Sequence, residues 1–403
     1  MIRGKALASL GLFVCLSLLA SPGIGNIQDA APPIKTQRLP RYEVGRTRPY
    51  DPETVHQAPS AVFPLKIPGK PPVPGLFTPP EYARHSGIIL RWSEWNLLLK
   101  QLIQETADKT NGSSVTLLVG GDTQQANAAA AFYAMGIDLD QVEFVKCKTN
   151  SVWIRDYGPH FIRQGHDLAI VDSRYLASRP LDDDVPIKIH KLWGWPLYKI
   201  PLIHSGGNLL VTSRREGFLT NIIYAKNPQL SRQRIATMFW KYFGLETLHI
   251  FPAFPPNIDR TGHIDMWMSI LNDHTVIIGK YKKTNPAYEA SVITRRAVRY
   301  MQNLGFIVYR TPGWNDGPDG YQGIHYTYTN SILLNKKVFV PQYGGDYIDE
   351  DAKALAAYRR ALPDHTIVGI NCAKIIAYSG ALHCICNNIP HNGVGPNLIG
   401  HRP

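Results

Sequence analysis

Short strand-like runs alternate with helical patterns from about Glu81 onward, and this alternation limits the folds that are open to the chain. Strands are predicted at 114–119, 142–147, 168–172, 218–224, 247–251, 268–271, 275–278, 306–309, 331–334, 338–341 and 366–370. Strands interleaved with helices predict the α/β class with mixed sheets. Four or five strand–strand–helix–strand units can be counted, and their spacing fits either a doubly wound sheet or a radial array of small modules.

Helices are predicted where apolar residues recur at a spacing of three or four. Trp95, Leu98, Leu102 and Ala107 recur in this way after Ser93, a residue suited to capping a helix. The other predicted helices cover 122–133, 231–243, 287–304 and 351–362. No glycine-rich phosphate loop follows any strand, which argues against nucleotide binding. With 403 residues and 44% hydrophobic content, the chain can fill one large domain or two smaller ones.

The N-terminal region is predicted to lie outside the folded domain. Arg3 and Lys5 precede an apolar run at 6–20 that is short for a membrane span, so 1–25 is predicted to be a secretory signal peptide. An uncleaved membrane anchor is the alternative. Residues 26–80 are rich in Pro, Arg and Tyr without a sustained period, and are predicted to be a propeptide or a wrapping arm. Residues 81–403 form the predicted folded domain, and the expected location is secreted or periplasmic.

The net charge gives little information about partners. Cleavage of the signal would remove two basic residues and lower the formal net charge from +12 to +10. The basic residues are scattered and no nucleic-acid motif is present, so a solvated basic surface is favoured over a nucleic-acid partner. No membrane partner is expected after cleavage, and the sequence leaves the oligomeric state open.

Four cysteines follow the signal region: Cys147, Cys372, Cys384 and Cys386. A Cys147–Cys372 disulfide is compatible with the sequence, although spacing alone does not establish it. Zinc binding is poorly supported, because one residue separates Cys384 from Cys386 and no second pair follows. No metal or other cofactor is expected.

Cys384 is the candidate nucleophile. It lies in an apolar, strand-like run near the end of the chain, where Cys384 and Cys386 would face the same side. His383 would then point to the opposite face, which makes it a poor candidate for the activating base. The alternative is that both cysteines are small buried apolar residues, a common role for free Cys.

Two acidic motifs supply the other candidate groups. Asp156 lies in the sequence Trp-Ile-Arg-Asp-Tyr-Gly-Pro, at a predicted strand-to-turn junction where an acid can line a pocket. A structural salt bridge with Arg155 is the alternative. His263 and Asp265 are two residues apart and would share one face of a strand. A His–Asp hydrogen bond that only fixes the strand end explains them equally well.

Gly206 and Gly207 precede Asn208 and an apolar run. Two glycines there permit positive φ angles and close approach of the backbone to a ligand, although an ordinary turn would have the same sequence. Together the candidate residues match the needs of guanidinium chemistry. Two carboxylates can hold the planar cation, a thiolate can attack its carbon, and a histidine can move the protons.

In these motifs the chain resembles the guanidino-group-modifying enzymes, in particular the branch that holds agmatine deiminases and Porphyromonas-type peptidylarginine deiminases. The resemblance extends from about Glu81 to Pro390. It rests on four ordered blocks: Trp153 to Pro159, Gly206 to Asn208, Gly262 to Asp265, and Thr329-Asn330 leading through 338–344 to Leu382-His383-Cys384. It implies a pentein-like, pseudo-symmetric propeller of five ββαβ modules around a central pocket, preceded here by the Pro-rich arm.

The resemblance also implies roles for individual residues. Cys384 would be the nucleophile, His263 the general acid and base, and Asp156 and Asp265 the guanidinium ligands, with no metal required. Further substrate-binding positions are expected at Trp153, Arg174, Arg179, Gly207, Asn208 and Asn330.

The resemblance leaves more than one substrate open. The segment around Arg179 and the signal-like N-terminus favour a secreted peptidylarginine deiminase that converts arginine in peptides or proteins to citrulline. The alternatives are an agmatine deiminase and a secreted arginine-binding module without catalytic activity.

Overall fold

A computed structural model describes residues 76–107, 110, 112–282 and 288–391, and within these residues the chain forms five mixed sheets. The strands are β1 (Leu76–Phe77), β2 (His85–Arg91), β3 (Ser114–Val119), β4 (Val142–Lys146), β5 (His160–Gln164), β6 (Asp167–Arg174), β7 (Leu197–Ile203), β8 (Leu210–Val211), β9 (Glu216–Thr220), β10 (Thr247–Phe251), β11 (Met268–Asn272), β12 (Thr275–Lys280), β13 (Ile307–Asn315), β14 (His325–Thr327), β15 (Ile332–Leu334), β16 (Lys337–Gln342), β17 (Thr366–Asn371) and β18 (Asn387–Pro390).

The α-helices lie in the connections between these strands. They are α1 (Asn96–Thr106), α2 (Asp122–Ala134), α3 (Ile154–Tyr157), α4 (Pro180–Asp183), α5 (Val185–Trp193), α6 (Ile222–Lys226), α7 (Arg232–Phe243), α8 (Glu289–Asn303) and α9 (Ile348–Ala361). The predicted α/β class with mixed sheets is confirmed.

The same local topology recurs in all five sheets. In each sheet, an antiparallel pair is followed by at least one helix and then by a strand that runs parallel to the second member of the pair. The pairs and their following strands are β5–β6 with β7, β8–β9 with β10, β11–β12 with β13, β15–β16 with β17, and β18–β2 with β3. The strand–strand–helix–strand unit counted in the sequence is therefore present in every sheet.

The two ends of the described fold meet in one sheet. Strand β18 pairs antiparallel with β2, and Asn387 lies opposite Ile89. Strand β1 pairs with β5, so the folded region already includes Leu76–Phe77, the last part of the predicted arm. The predicted signal peptide and residues 26–75 lie outside the described residues.

Helix α7 shows how local sequence sets an element's ends. The Ser231 hydroxyl accepts a hydrogen bond of 3.2 Å from the backbone N–H of Arg234, which satisfies a donor of the first turn. The helix ends at Gly244, whose φ of 67° is left-handed. A Cβ at Gly244 would lie 2.3 Å from the carbonyl oxygen of Leu76, so this position also lets the helix end pack against β1.

The core consists of several apolar clusters between sheets and helices. Cys384 packs in the cluster around β11, β12 and α8, whereas Cys386 packs in the one around β15, β16 and α9. All four described cysteines are buried and free, so the Cys147–Cys372 disulfide is absent. Within the described residues, no helix has the length and apolar character needed to span a bilayer.

Candidate active site

Five short segments form the candidate site, and each directly precedes the first strand of the antiparallel pair in one sheet. They are Ile154–Tyr157 before β5, Gly206–Asn208 before β8, Ile264–Met266 before β11, 329–330 before β15, and His383–Ile385 before β18. Helix α3 contacts the segments 206–208 and 383–385, and 206–208 contacts 264–266. The candidate residues from four distant parts of the sequence therefore lie together.

The local conformation differs from the predicted strands. Asp156 lies in the short helix α3, and Asp265 and Cys384 lie in 3₁₀ turns, with His263 at the start of the first of these. Local backbone hydrogen bonds explain the difference, for example from Trp267 N–H to the Ile264 carbonyl at 3.1 Å. Alternation of faces, which holds for a strand, does not apply to such turns.

Gly207 lies where three of the candidate side chains meet. A Cβ at this position would lie 2.8 Å from Asp265 Oδ2, 2.9 Å from Asp156 Oδ1 and 3.0 Å from His263 Nδ1. Its φ is outside the left-handed region, so the expected positive φ is not found. The backbone at Gly207 lies close to these three side chains, so glycine is needed here for space, and approach to a ligand stays a prediction.

Gly207→Ala is therefore expected to lower kcat/KM by about 10²-fold or more, because the added methyl group would displace groups that must hold the reacting atoms. Gly121→Ala is the matched control, since a Cβ there meets nothing within 4 Å. The measurement is steady-state kinetics, with the melting temperature of both variants recorded. Equal activity of Gly207→Ala and Gly121→Ala would contradict the placement of the site at Gly207.

Cys384 is 2% exposed and lies beside a carboxylate. Its Sγ is 3.7 Å from Asp265 Oδ2 and 3.2 Å from Asn330 Nδ2. Burial, followed by the negative charges of Asp265 and Asp156, raises the pKa of the Cys384 thiol well above its usual value. Without a bound cation the sulfur is therefore a thiol at neutral pH.

Asn330 holds the nucleophile segment in place. Its Oδ1 accepts hydrogen bonds from the backbone N–H groups of Ala381 at 3.0 Å and Cys384 at 3.3 Å. Its Nδ2 donates to Asp265 Oδ2 at 3.0 Å. These contacts show that Asn330 joins the nucleophile segment to the carboxylate of Asp265, and its role in substrate binding stays a prediction.

The two aspartates are buried, at 4% exposure for Asp156 and 1% for Asp265. Burial and the nearby charge of Asp265 raise the pKa of Asp156 to about 7, although the backbone N–H of Gly207 donates to Asp156 Oδ1 at 3.2 Å. Burial also raises the pKa of Asp265. Asp265 Oδ1 has no hydrogen-bond partner among the described residues, which leaves a buried acceptor available for a ligand.

His263 is fully buried, and its two ring nitrogens have different surroundings. Nδ1 lies 3.5 Å from Asp156 Oδ1 and has no hydrogen-bond partner within the described part of the chain. Nε2 lies 3.4 Å from the Nζ atom of Lys226. Burial, followed by the positive charges of Lys226 and His383, lowers the pKa of His263 well below its usual value, so the imidazole is neutral.

His383 contacts the site, contrary to the expectation that it would point away. Its Nδ1 lies 2.8 Å from Asp265 Oδ2 and its Nε2 lies 2.7 Å from Glu81 Oε2. Burial alone would lower the pKa of His383, but these two carboxylates raise it overall. His383 thus links Asp265 to Glu81, whose own pKa is lowered to about 2 because His383 and Arg155 outweigh the effect of burial.

Arg155 has partners other than its neighbour Asp156. Its guanidinium lies 3.6 Å from Glu81 Oε2 and donates to Asn388 Oδ1 at 2.7 Å. These contacts replace the predicted Arg155–Asp156 salt bridge. They also connect helix α3 to β18, which fixes the helix that carries Asp156.

The other predicted substrate-binding residues lie at different distances from this centre. Trp153 borders it, because a Cβ at Gly380 would lie 2.5 Å from the Trp153 ring and 3.1 Å from Cys384 Cβ. The Asn208 Oδ1 atom accepts hydrogen bonds from the Thr220 hydroxyl and from the backbone N–H of Ile264.

The two arginines that are predicted to bind substrate, Arg174 and Arg179, show no contact with this centre among the described residues. Arg174 is exposed at the end of β6, and Arg179 Nη1 lies 3.3 Å from the Tyr175 hydroxyl. No described contact joins either arginine to the four central residues, and their role in substrate binding stays a prediction.

Lys226, Glu81 and His383 are site residues that sequence reasoning missed. Lys226 is the last residue of helix α6 and lies just beyond the predicted strand 218–224, and a single lysine carries no motif signal. Glu81 stands at the predicted domain boundary, next to Pro79-Pro80. His383 was excluded because a strand was assumed. Among the described residues, no group of three or more His, Cys, Asp and Glu side chains is arranged to hold a metal ion.

Comparison with known proteins identifies similar chains. The family model for the Porphyromonas-type peptidyl-arginine deiminases matches residues 77–390. The agmatine deiminase of Ectopseudomonas mendocina is 24% identical over 365 residues, covering 79% of this chain and 97% of the relative. The solved agmatine deiminase of Enterococcus faecalis has a TM-score of 0.67 at 19% identity, covering 81% of this chain and 99% of the other. The C. jejuni agmatine deiminase with substrate bound has a TM-score of 0.66 at 21% identity, covering 78% and 96%.

Proposed function

Since this chain belongs to the Porphyromonas-type peptidyl-arginine deiminase family, we propose that it hydrolyses the guanidinium group of a small, agmatine-type substrate to a ureido group and ammonia. Members of this family are hydrolases that act on the C–N bonds of amidines. The small-substrate choice is supported by the similar curated and solved proteins, which are agmatine deiminases.

One observation carries the proposal: a nucleophile, an acid–base group and two carboxylates converge on the space beside Gly207. Two buried atoms there, Asp265 Oδ1 and His263 Nδ1, lack hydrogen-bond partners among the described residues. A planar cation between the aspartates would donate to the free carboxylate oxygen and neutralise the buried negative charge. A guanidinium has the charge, the shape and the donors to do so.

Binding of the cation also activates the nucleophile. The negative charges that raise the pKa of Cys384 are balanced when a guanidinium lies between Asp156 and Asp265, so the thiolate forms more readily. The sulfur then attacks the guanidinium carbon and forms a C–S bond. Breakage of one C–N bond with protonation of the leaving nitrogen releases ammonia and leaves a thiouronium on Cys384.

The second half of the reaction restores the enzyme. Water attacks the thiouronium carbon while His263 accepts a proton from it. The C–S bond breaks, the sulfur leaves with the electron pair, and the carbon retains oxygen as the ureido product. Asn330 holds Cys384 and Asp265 in fixed positions relative to each other during both halves of the reaction.

A peptidylarginine deiminase is the second candidate, and Lys226 is the observation that favours it. Its ammonium lies 3.4 Å from His263, close to the proposed guanidinium position. Agmatine carries a second cationic group, which the ammonium of Lys226 would repel. Arginine within a peptide carries no second charge on its own side chain.

The proposal also includes the detailed architecture of the protein and its location. The five sheets would be five pseudo-symmetric ββαβ modules of a propeller around the pocket, which the equivalent position of the five site segments supports. Residues 26–75 would form the Pro-rich arm. Secretion would follow from the basic and apolar start of the sequence.

The test is formation of the ureido product by purified protein that is offered agmatine, free arginine, a peptide with internal arginine and a peptide with C-terminal arginine. Agmatine is expected to give the highest kcat/KM. Higher kcat/KM for the peptides would establish the second candidate. Saturable binding of arginine peptides without product, with Cys384 reduced, would contradict both and leave a binding module.

A further inference from the structure

Lys226 occupies an unusual position for a cation in a site that must bind a cation. It ends helix α6, is half-buried, and lies 3.2 Å from the Ser205 hydroxyl and 3.4 Å from His263 Nε2. An ammonium group has only donors, so the His263 nitrogen that faces it must accept. The proton of the neutral imidazole is therefore on Nδ1, because the tautomer is set by the hydrogen bond of the other nitrogen.

This tautomer directs an N–H group toward the reacting centre. Nδ1 faces Asp156 Oδ1 at 3.5 Å and would lie 3.0 Å from a Cβ at Gly207. If the neutral imidazole gave this proton to a leaving amine by itself, an imidazolate anion would remain. Such an anion is strongly unfavourable in a buried site. The difficulty disappears if Nε2 takes up a proton at the same time, and Lys226 is the donor that faces Nε2.

We propose that Lys226 is a positioning and proton-relay residue that acts through His263, supplying the proton for the departing ammonia. The inference rests on the proposed deiminase function and adds a residue to it. As the C–N bond breaks, the leaving nitrogen takes the Nδ1 proton, Nε2 takes a proton from Lys226, and Lys226 becomes a neutral amine. In the hydrolysis half, Nδ1 takes a proton from water and Nε2 returns its proton to Lys226.

The charged surroundings are consistent with this exchange. Besides Lys226, the titratable groups that act on His263 are Asp156 on α3 and His383 on the nucleophile turn, and the His204 ring lies nearby. Burial lowers the pKa of Lys226, although the negative charge of Asp156 opposes this effect. A lysine that gives up its proton more easily than usual suits a relay, whereas a permanently charged group does not.

A merely structural role would separate two substitutions that the relay does not, because arginine would replace the charge of Lys226 and methionine would not. Lys226→Met removes the donor, and Lys226→Arg keeps a donor that cannot be deprotonated in a protein. We expect both to lower kcat by about 10²-fold. Lys241→Met is the control: this lysine is exposed near the end of α7, and its loss is expected to leave kcat unchanged. Melting temperatures would show that each variant folds.

Two further measurements complete the test. In Lys226→Ala, added ethylamine is expected to restore kcat in proportion to the concentration of its protonated form, the ethylammonium ion, which is the proton donor, while its effect on wild type is absent. ¹⁵N NMR of the wild type without substrate is expected to show His263 as the Nδ1–H tautomer. Activity of Lys226→Arg within about threefold of wild type, or an Nε2–H tautomer, would overturn the relay while the deiminase function stood. A wild type that deiminates no guanidine would overturn the function itself, and the relay with it.

Discussion

Cys384→Ala is expected to lower kcat by at least about 10⁴-fold, to the level of uncatalysed hydrolysis in the assay, because no other described group at the centre can form the covalent intermediate. The fold should persist, since the substitution removes one buried sulfur. The measurements are the rate of ureido formation and, by mass spectrometry under rapid quench, the mass of a covalent adduct on the wild type.

Cys386→Ala is the matched control for this prediction. Cys386 is two residues away, equally free and buried, and packs in a different apolar cluster. Its loss should change kcat by no more than a few-fold and lower stability slightly through the lost packing. If Cys384→Ala retained wild-type turnover, the thiouronium route would be wrong; a large kcat loss in Cys386→Ala would show that the assay responds to core packing.

Asp156→Asn is expected to have opposite effects on activity and stability. It removes two charge-assisted hydrogen bonds to the guanidinium, each contributing about 2 kcal/mol, so kcat/KM should fall by about 10³-fold. In the wild type, kcat/KM should rise through pH of about 7, where Asp156 ionises, and this rise should be absent in the variant. Kinetics between pH 5 and 9 measure both effects.

The stability effect follows from the raised pKa of Asp156. The pKa is 3.8 for an ordinary aspartate and about 7 here, so the folded protein binds the extra proton between these values. Folding is favoured by this proton below pH 3.8, and the benefit is lost as pH rises through about 7. At pH 8 the folded wild type without substrate contains a buried, ionised Asp156 carboxylate with no guanidinium bound to it. Asp156→Asn should therefore raise the free energy of unfolding on the order of 2–4 kcal/mol at pH 8 and by nearly nothing at pH 4.

Asp172→Asn is the control that separates the effect on stability from the effect on activity. Asp172 is 8% exposed on β6, and burial raises its pKa to about 6, but it lies outside the candidate site. This variant should gain some stability at pH 8 and keep wild-type kcat/KM. If the gain in free energy of unfolding in Asp156→Asn did not depend on pH, the interpretation that the site contains destabilising buried negative charge would be wrong.

The sequence predicts elements with a clear local pattern or cap well, and apolar runs without a breaker poorly. The strands 114–119 and 247–251 and the helix that starts after Ser231 were predicted from local patterns and caps, and the structure has them. The apolar run 218–224 predicts one strand, but β9 ends at Thr220 and helix α6 begins at Ile222. A short apolar run without a breaker has the same composition in both states, so periodicity does not distinguish them.

The candidate site shows the same limit. Three motifs contain Cys384, His263, Asp156 and Asp265, and the fold brings these four residues together. The strand assumption failed at all of them, because one-turn helices depend on local hydrogen bonds that composition does not encode. It also removed His383 from consideration, since face assignments depend on the assumed period. Lys226 could not have been found by pattern, because its importance comes only from the distance to His263.

The pairing of β18 with β2 makes activity depend on a contact between parts of the chain that lie far apart in the sequence. Glu81 and His383 are separated by 302 positions in the sequence and meet in the site. Contacts of such long range form late, because closing the loop costs entropy before any contact repays it. The nucleophile turn lies directly before β18, so the functional centre is expected to be complete only once β18 has paired with β2. Recovery of turnover during refolding would therefore report the joining of the ends, whereas recovery of helical signal would report earlier steps.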